Sequence, residues 1–233
     1  MSKIKERSTG IRRHQWLAIE GADAVGKTKL AQELFMWLKN KYPEINPFLM
    51  KEFSFSPIGR LIQEIINDKT FFMLENNKHI PIAETLVLGS DFIFQQEEIA
   101  KKDRADRKSV IVSDRGIYSF FVYQGIRLKN VYGNTIDWYK WIENIFLPIG
   151  IPNLTLCLSS PLDQIERRLN ERGDKVTPES LDFIDQAQRE FLRLGGQRGS
   201  KSFIVLENIN GKFDEILNRA QNVVKEILIP YCF

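Results

Sequence analysis

A doubly wound α/β domain built on a five-stranded parallel sheet is the fold class this chain predicts, and three observations predict it. Short apolar runs rich in branched and aromatic residues recur along the 233 residues, at 16–19, 48–50, 110–112, 154–158 and 203–206. Segments of helical character separate them, at 27–42, 57–67, 81–102, 134–146, 161–171, 178–194 and 211–229. A glycine-containing octapeptide, residues 21–28, joins the first run to the first helix. Strands that alternate with helices need crossover connections, hence a parallel sheet with helices on both faces.

The first strand is Trp16-Leu-Ala-Ile19, and the helix after the octapeptide sets Leu30, Leu34 and Leu38 on one face with Ala31 and Phe35 beside them. The third strand ends in Asp114, and the charged stretch Asp103-Arg-Ala-Asp-Arg-Lys108 before it reads as an exposed turn. The 134–146 helix carries Trp138, Tyr139, Trp141 and Phe146, whose default is core packing. The fourth strand holds Cys157, and Gly195-Gly-Gln-Arg-Gly-Ser-Lys201 reads as a flexible connection into the fifth. Residues 1–14 read as a basic, disordered leader and 15–233 as a single domain, with no linker dividing it.

Bulk composition narrows the function classes. Hydrophobic content of 43% and charged content of 27% are those of a soluble globular protein. A net charge of +3, much of it in the leader, gives no footprint for nucleic acid. The leader lacks the apolar stretch of a secretory signal, and no run approaches the roughly 20 apolar residues of a membrane span. Cys157 and Cys232 lie far apart, so a disulfide framework is not expected and a reducing cytoplasm fits. The two histidines, His14 and His79, suggest no catalytic pair, and neither a metal-ligand cluster nor a repeat is visible.

The chemistry begins at Gly21-Ala-Asp-Ala-Val-Gly-Lys-Thr28, a G-x-x-x-x-G-K-[ST] phosphate loop in strand–loop–helix context. Its glycines let backbone N–H groups curl around a polyphosphate, and the helix N-terminus adds partial positive charge. The set that binds a nucleoside triphosphate is Gly21, Ala22, Asp23, Ala24, Val25, Gly26, Lys27 and Thr28. Lys27 reaches the outer phosphates and the Thr28 hydroxyl holds Mg²⁺. The bland alternative is a glycine turn that caps a helix. After the third strand, Asp114 places a carboxylate near the loop for Mg²⁺, and Arg115 offers a guanidinium to a phosphate. The bland alternative there is a surface Asp-Arg pair. The fold class is therefore a P-loop NTPase fold.

Four blocks resemble one family. Asp114-Arg-Gly-Ile-Tyr-Ser-Phe-Phe-Val-Tyr-Gln-Gly125 is similar to the D-R-Y-x-x-S-x-x-A-Y-Q-G of thymidylate kinases. Lys51-Glu-Phe-Ser-Phe-Ser-Pro-Ile-Gly59 resembles their R-E-P-G-G-T-P-L-G, and Glu84-Thr-Leu-Val-Leu-Gly-Ser-Asp91 their E-x-L-L-F-x-A-D-R helix. Arg168-Leu-Asn-Glu-Arg172-Gly-Asp-Lys175 resembles the arginine-rich lid, which implies a short lid at about residues 168–178, and Glu179-Ser-Leu-Asp-Phe183 follows it. The blocks keep family order from about residue 15 to the C-terminus.

The resemblance implies transfer of the γ-phosphoryl group of ATP to dTMP, giving dTDP, with Mg²⁺, in a homodimer. It implies that Lys27, Arg115, Arg168 and Arg172 are catalytic and that Thr28 and Asp114 serve the metal. It places Asp23, Ser56, Leu88, Phe92, Arg115, Ser119 and Gln124 around the acceptor. Position 24 is Ala where one subgroup carries an arginine, which matches the type whose catalytic cation comes from the lid. Arg168 and Arg172 are four apart and share a helix face, with Lys175 a weaker candidate. A solvated helix end is the competing reading of that segment, and Arg167 and Arg189 are assigned to it.

Four departures concern the acceptor pocket. Leu88 stands where a thymine-stacking Phe is frequent, Phe92 where an Arg contacts the base, Gly116 in place of Tyr, and Ser54-Phe55 in place of Gly-Gly. Phe92 stacks on the base or belongs to the core; Lys51 or Arg60 restores the lost charge. The acceptor is then dTMP, or dUMP or another nucleotide. The nearest rival is a deoxynucleoside kinase with Glu52 as general base. A GTPase lacks support because Asn77-Lys-His-Ile80 has no Asp at the guanine-reading position. A non-catalytic nucleotide binder is opposed by the intact Lys27, Thr28, Asp114 and Arg115. The aromatic cluster of 134–146, or Phe92 and Phe94, are the expected dimer contacts.

Overall fold

The computed structural model describes residues 14–67, 80–102, 108–146, 148–198, 202–209 and 211–232. All five apolar runs are strands: β1 (His14–Gly21), β2 (Ile45–Met50), β3 (Lys108–Asp114), β4 (Leu154–Ser159) and β5 (Phe203–Glu207). They pair in parallel in the order β2-β3-β1-β4-β5, with Ile19 beside Asp114 and Gly21 beside Leu158. From β1 the chain runs to one side for β2 and β3, then crosses to the other for β4. That reversal sits at β1, and ligands in such sheets bind beyond the carboxyl ends of the strands there.

The helices are α1 (Lys27–Lys41), α2 (Pro57–Asn67), α3 (Pro81–Lys102), α4 (Ile117–Ser119), α5 (Gly125–Tyr132), α6 (Trp138–Phe146), α7 (Leu162–Glu171), α8 (Pro178–Arg198) and α9 (Phe213–Ile227). A π-helical segment, Phe120–Gln124, joins α4 to α5, and a 3-10 turn, Ile229–Cys232, follows α9. Successive side chains of a strand face opposite ways, so each strand feeds two cores. Leu17 and Ile19 of β1 pack with Leu30, Leu34 and Leu38 of α1 and Ile216, Ala220 and Val224 of α9. Trp16 and Ala18 face the other way, into Phe92 of α3, Phe121, Phe146 of α6 and Phe191 of α8. Both faces being covered is why the strands read as unbroken apolar runs. Pro47 is tolerated because β2 pairs only with β3 at the sheet's edge.

The helical stretch across 117–132 was not among the expected elements. Ile117 through Ile126 is buried on every side, so it shows none of the 3.6-residue periodicity that marks a surface helix. α6 starts at Trp138 and not at 134, because Asp137 Oδ1 accepts from Lys140 N at 3.0 Å and caps the helix there. The expected flexible connection after 194 is helix as far as Arg198. A Cβ on Gly195 would meet the Phe203 ring at 2.7 Å, so glycine lets α8 lie close on β5. The leader as far as residue 13, the Asn77–His79 stretch, the turn at 103–107 and residues 199–201 lie outside the described residues. Cys157 and Cys232 are buried and are not joined in a disulfide. Among the described residues no helix is long and apolar enough to cross a membrane.

Candidate active site

The site grows from the end of β1. Gly21, Ala24 and Gly26 take positive φ, 131°, 58° and 96°, and these left-handed turns wrap the loop's backbone into a concavity. The first bond of α1 runs from Leu30 N to Gly26 O at 3.1 Å, so the N–H groups ahead of it are left to an anion. Gly21 is required by space as well as by φ, since a Cβ there would overlap the Leu158 carbonyl of β4. Gly21→Ala is expected to lower stability by roughly 2–4 kcal/mol, read as a lower urea midpoint with unchanged m.

Lys27 is buried and donates from Nζ to Ala22 O at 2.6 Å, with Asp23 Oδ1 4.0 Å away. Burial and the nearby Arg115 push its ammonium down to about 8, against the pull of Asp23, Glu52 and Asp114. Thr28 Oγ1 donates to Asp114 Oδ2 at 2.6 Å. Asp114 Oδ1 is buried and makes no hydrogen bond among the described residues. A hydroxyl and a carboxylate side by side, with one carboxylate oxygen uncommitted, are the donor set of a divalent cation that keeps most of its shell from water and phosphate. No cluster of three or more His, Cys, Asp or Glu residues that could hold a metal occurs among the described residues.

Arg115 follows β3 in a left-handed conformation, φ 73°, pinned by its N–H to Ile19 O at 2.9 Å. Its Nη2 is ion-paired to Asp23, and its Nε lies 2.5 Å from Glu52 Oε1. Its Nη1 is buried and makes no hydrogen bond within the described protein. Burial raises the Asp23 carboxyl, but the Arg115 and Lys27 charges outweigh it and hold the group well below the usual carboxylate range. Burial likewise disfavours the Arg115 cation, but Asp23 and Glu52 hold it firmly charged.

Beside Arg115 opens a cavity of about 480 Å³. Of the expected acceptor residues, Asp23, Leu88, Phe92, Arg115, Ser119 and Gln124 all line it. Ser56 does not: its Oγ donates to Asp91 Oδ1 at 3.1 Å and accepts from Gly59 N at 3.0 Å, which fixes the start of α2. Lys51 and Arg60, the expected replacement cations, are exposed and stand outside the lining. Phe92 is core, with ring centroids 5.8 Å from Trp16, 5.6 Å from Phe120 and 5.8 Å from Phe146. The absence of a side chain at 116 is explained by the same packing, since a Cβ there would lie 2.9 Å from Ala18 Cβ and 3.0 Å from Glu20 Oε1.

Glu20 itself, the last apolar-run neighbour before the loop, escaped sequence reasoning. It is fully buried and accepts from Ser119 N at 3.1 Å and Ser119 Oγ at 2.6 Å, so Ser119 is held by Glu20 at the cavity wall. Burial pushes its carboxyl up to about 7 from 4.5, against the Ser119 bonds that lower it. The folded state then binds this proton more tightly than the unfolded state. The stability cost of Glu20 therefore grows as pH rises from about 4.5 to 7 and is complete above that. Glu20→Gln is expected to gain in thermal midpoint over the parent at pH 8 and to gain less at pH 5.

The lid arginines differ. Arg168 Nη1 donates to Ala24 O at 3.1 Å and Ser160 Oγ at 3.0 Å, and its Nη2 to Asn208 O at 3.2 Å, so it braces the phosphate loop. Arg172 is exposed and ion-paired to Asp174 through Nε at 2.6 Å, in the turn that Gly173 opens at φ 82°. Lys175 is exposed. Asn208, also missed, donates from Nδ2 to Val25 O at 2.7 Å and holds the loop from β5.

A phosphate loop, a metal-type Thr–Asp pair and an arginine between loop and cavity on a parallel five-stranded sheet define a P-loop nucleotide kinase. Residues 19–218 match the family model described as thymidylate kinase. The chain belongs to the thymidylate kinase family and is an enzyme that transfers phosphoryl groups. It is 29% identical over 228 residues to the thymidylate kinase of Prochlorococcus marinus strain MIT 9301, covering 92% of this chain and 95% of that one. It is 30% identical over 178 residues to a probable thymidylate kinase of Pyrococcus horikoshii, covering 76% and 79%. Thymidylate kinase from Candida albicans shares the fold, with a TM-score of 0.67 at 20% identity over 92% of each chain.

Proposed function

We propose that the protein transfers the γ-phosphoryl group of ATP, as its Mg²⁺ complex, to dTMP, giving ADP and dTDP for dTTP synthesis. The observation that carries this reading is Arg115, a buried guanidinium set between the phosphate loop and an apolar cavity sized for a nucleotide. The loop N–H groups and Lys27 grip the donor's phosphates. Thr28 and Asp114 hold the metal, which neutralises charge on the transferring group. Arg115 binds the acceptor's phosphate in line with the donor, Asp23 takes the acceptor's sugar hydroxyl, and Leu88 and Phe92 wall the base. Arg172 closes from the lid and shields the transfer from water, while Arg168 acts from α7, where it already braces the loop that holds the donor.

Glu52, the base of the nucleoside kinase alternative, is ion-paired to Arg115 and so serves to orient it. The enzyme works in a reducing cytoplasm, where its buried thiols stay reduced. It assembles as a homodimer through exposed apolar side chains of α2 and α3, Leu61, Leu86 and Phe94. Of the 134–146 aromatics expected at that contact, Trp138 and Phe146 are buried, and Tyr139 and Trp141 are half-buried. Initial rates with Mg-ATP and dTMP, dUMP, dCMP, CMP or thymidine test the function. The highest kcat/KM is expected with dTMP; phosphorylation of thymidine alone would overturn the proposal.

A further inference from the structure

We propose that Arg127 selects the acceptor's base, donating to the C4 carbonyl oxygen of thymine or uracil and rejecting the exocyclic amine that cytosine carries at that place. The inference rests on the reading of the cavity as the acceptor nucleotide site. It begins with where charge lies in the cavity. Among the described residues that line it, the cations are Arg115 and Arg127. Arg115 stands at the loop end, paired with Asp23. Ser119, Tyr123 and Arg127 line the cavity at successive four-residue steps of the helical stretch that runs from α4 to α5, and the Arg115 guanidinium carbon lies 5.1 Å from the centre of the Tyr123 ring. The apolar lining includes Leu88, Phe92, Phe120, Phe183 and Ile184. A cavity that brings together the arginine assigned to the phosphate, apolar walls for a flat ring and a second arginine is built to read the edge of that ring.

The second arginine is also held in one orientation. Its Nη1 is ion-paired to Glu84 Oε1, which is fully buried, and its guanidinium carbon lies 5.4 Å from the centre of the Phe183 ring. Gln124 is committed to the same framework. Its Nε2 donates to Glu84 Oε1 at 3.0 Å, and its Oε1 accepts from Thr85 Oγ1 at 3.2 Å. Gln124 therefore positions the cluster and does not lead the reading. Phe92 is committed to its ring packing and has no donor to give. A guanidinium offers donors only. Thymine and uracil present an acceptor at C4 and cytosine presents an amine donor there, so one arginine favours the first pair and opposes the second. The cation that reads the base thus comes from α5, whereas the resemblance to the family's E-x-L-L-F-x-A-D-R helix places it at position 92 of α3.

The test compares Arg127→Met with the parent at saturating ATP, using dTMP, dUMP and dCMP. A lost hydrogen bond to a charged donor is worth roughly 10- to 100-fold. KM for dTMP and dUMP is expected to rise by that factor, with kcat changed less than about threefold and KM for ATP unchanged. The preference for dTMP over dCMP should fall correspondingly. Because Glu84 would be left buried without its counter-charge, the double variant Glu84→Gln/Arg127→Met is measured beside it and is expected to show the same loss of preference. An unchanged ratio of dTMP to dCMP in the folded double variant overturns the inference. So does an equal loss for every acceptor, which a purely structural role of Arg127 would produce. Failure of the parent to phosphorylate any pyrimidine monophosphate would overturn the functional reading beneath it and this inference together.

Discussion

Lys27→Ala is expected to lower kcat by about 10³-fold or more while leaving the fold intact. The ammonium sits at the mouth of α1, buried, with Nζ 2.6 Å from Ala22 O, so it is already placed where donor phosphates meet the loop. No other cation among the described loop residues 21–28 can replace it. The fold survives because Lys27 is not a stabilising group: burial has pushed its ammonium down to about 8, which means the folded state disfavours its charge. Alanine removes that cost, and Arg115 remains to balance Asp23. Far-UV circular dichroism and a thermal midpoint no lower than the parent's should accompany the lost activity. The same depressed value predicts a pH dependence. The protonated amine is the active form, so kcat/KM for ATP should fall as pH rises through about 8. Bound phosphates favour the ammonium, so the fall in kcat should come at higher pH. Turnover by Lys27→Ala within tenfold of the parent would show that the loop is not the donor site.

Arg115→Ala should be nearly as damaging, and its signature is different. Asp23 and Glu52 line the cavity beside Arg115 and are ion-paired to it, so without the guanidinium two unneutralised carboxylates face the place assigned to an anion. The expected result is a drop of about 10³-fold or more in kcat/KM for the acceptor, with a large rise in its KM and an almost unchanged KM for ATP. Arg115→Lys keeps the charge but not the planar fork, so it should recover only part of the loss. The measurement is a two-substrate kinetic analysis. Equal weakening of ATP and acceptor would mean that Arg115 supports the loop as a whole and does not bind the acceptor.

Much of the fold was legible because both faces of the sheet are covered. That condition makes each strand a short unbroken apolar run, and the helices α2, α7 and α9 are one-sided enough to show their periodicity. The same burial hid the 117–132 helix, where Ile117, Phe120, Phe121, Val122 and Tyr123 point in all directions and no face is polar. Gly195 and Gly196 read as a break, yet a helix kept within reach of the Phe203 ring needs glycine there and stays helical. At the site, the residues with a fixed spacing could be found: Gly21, Lys27 and Thr28 by the loop pattern, Asp114 and Arg115 by their place at a strand's end. Residues that act through tertiary contacts could not. Glu20, Asn208, Glu84 and Arg127 are ordinary letters until the fold brings them to Ser119, the loop, Gln124 and the cavity. A lone glutamate closing a buried strand just ahead of a phosphate loop was the one available signal for Glu20. Ser56 shows the reverse error, since a motif position proved to serve the local turn around Asp91.

The most direct test of the central claim follows the phosphorus itself. Enzyme, Mg²⁺, dTMP and ATP labelled at the γ-phosphoryl group are combined, and the products are separated and examined by phosphorus NMR. Direct transfer between the loop and Arg115 predicts ADP and dTDP in equal amounts, with all of the label on the β-phosphorus of dTDP and none in inorganic phosphate. Label appearing as inorganic phosphate, or dTMP recovered unchanged while ATP is consumed, would contradict the account.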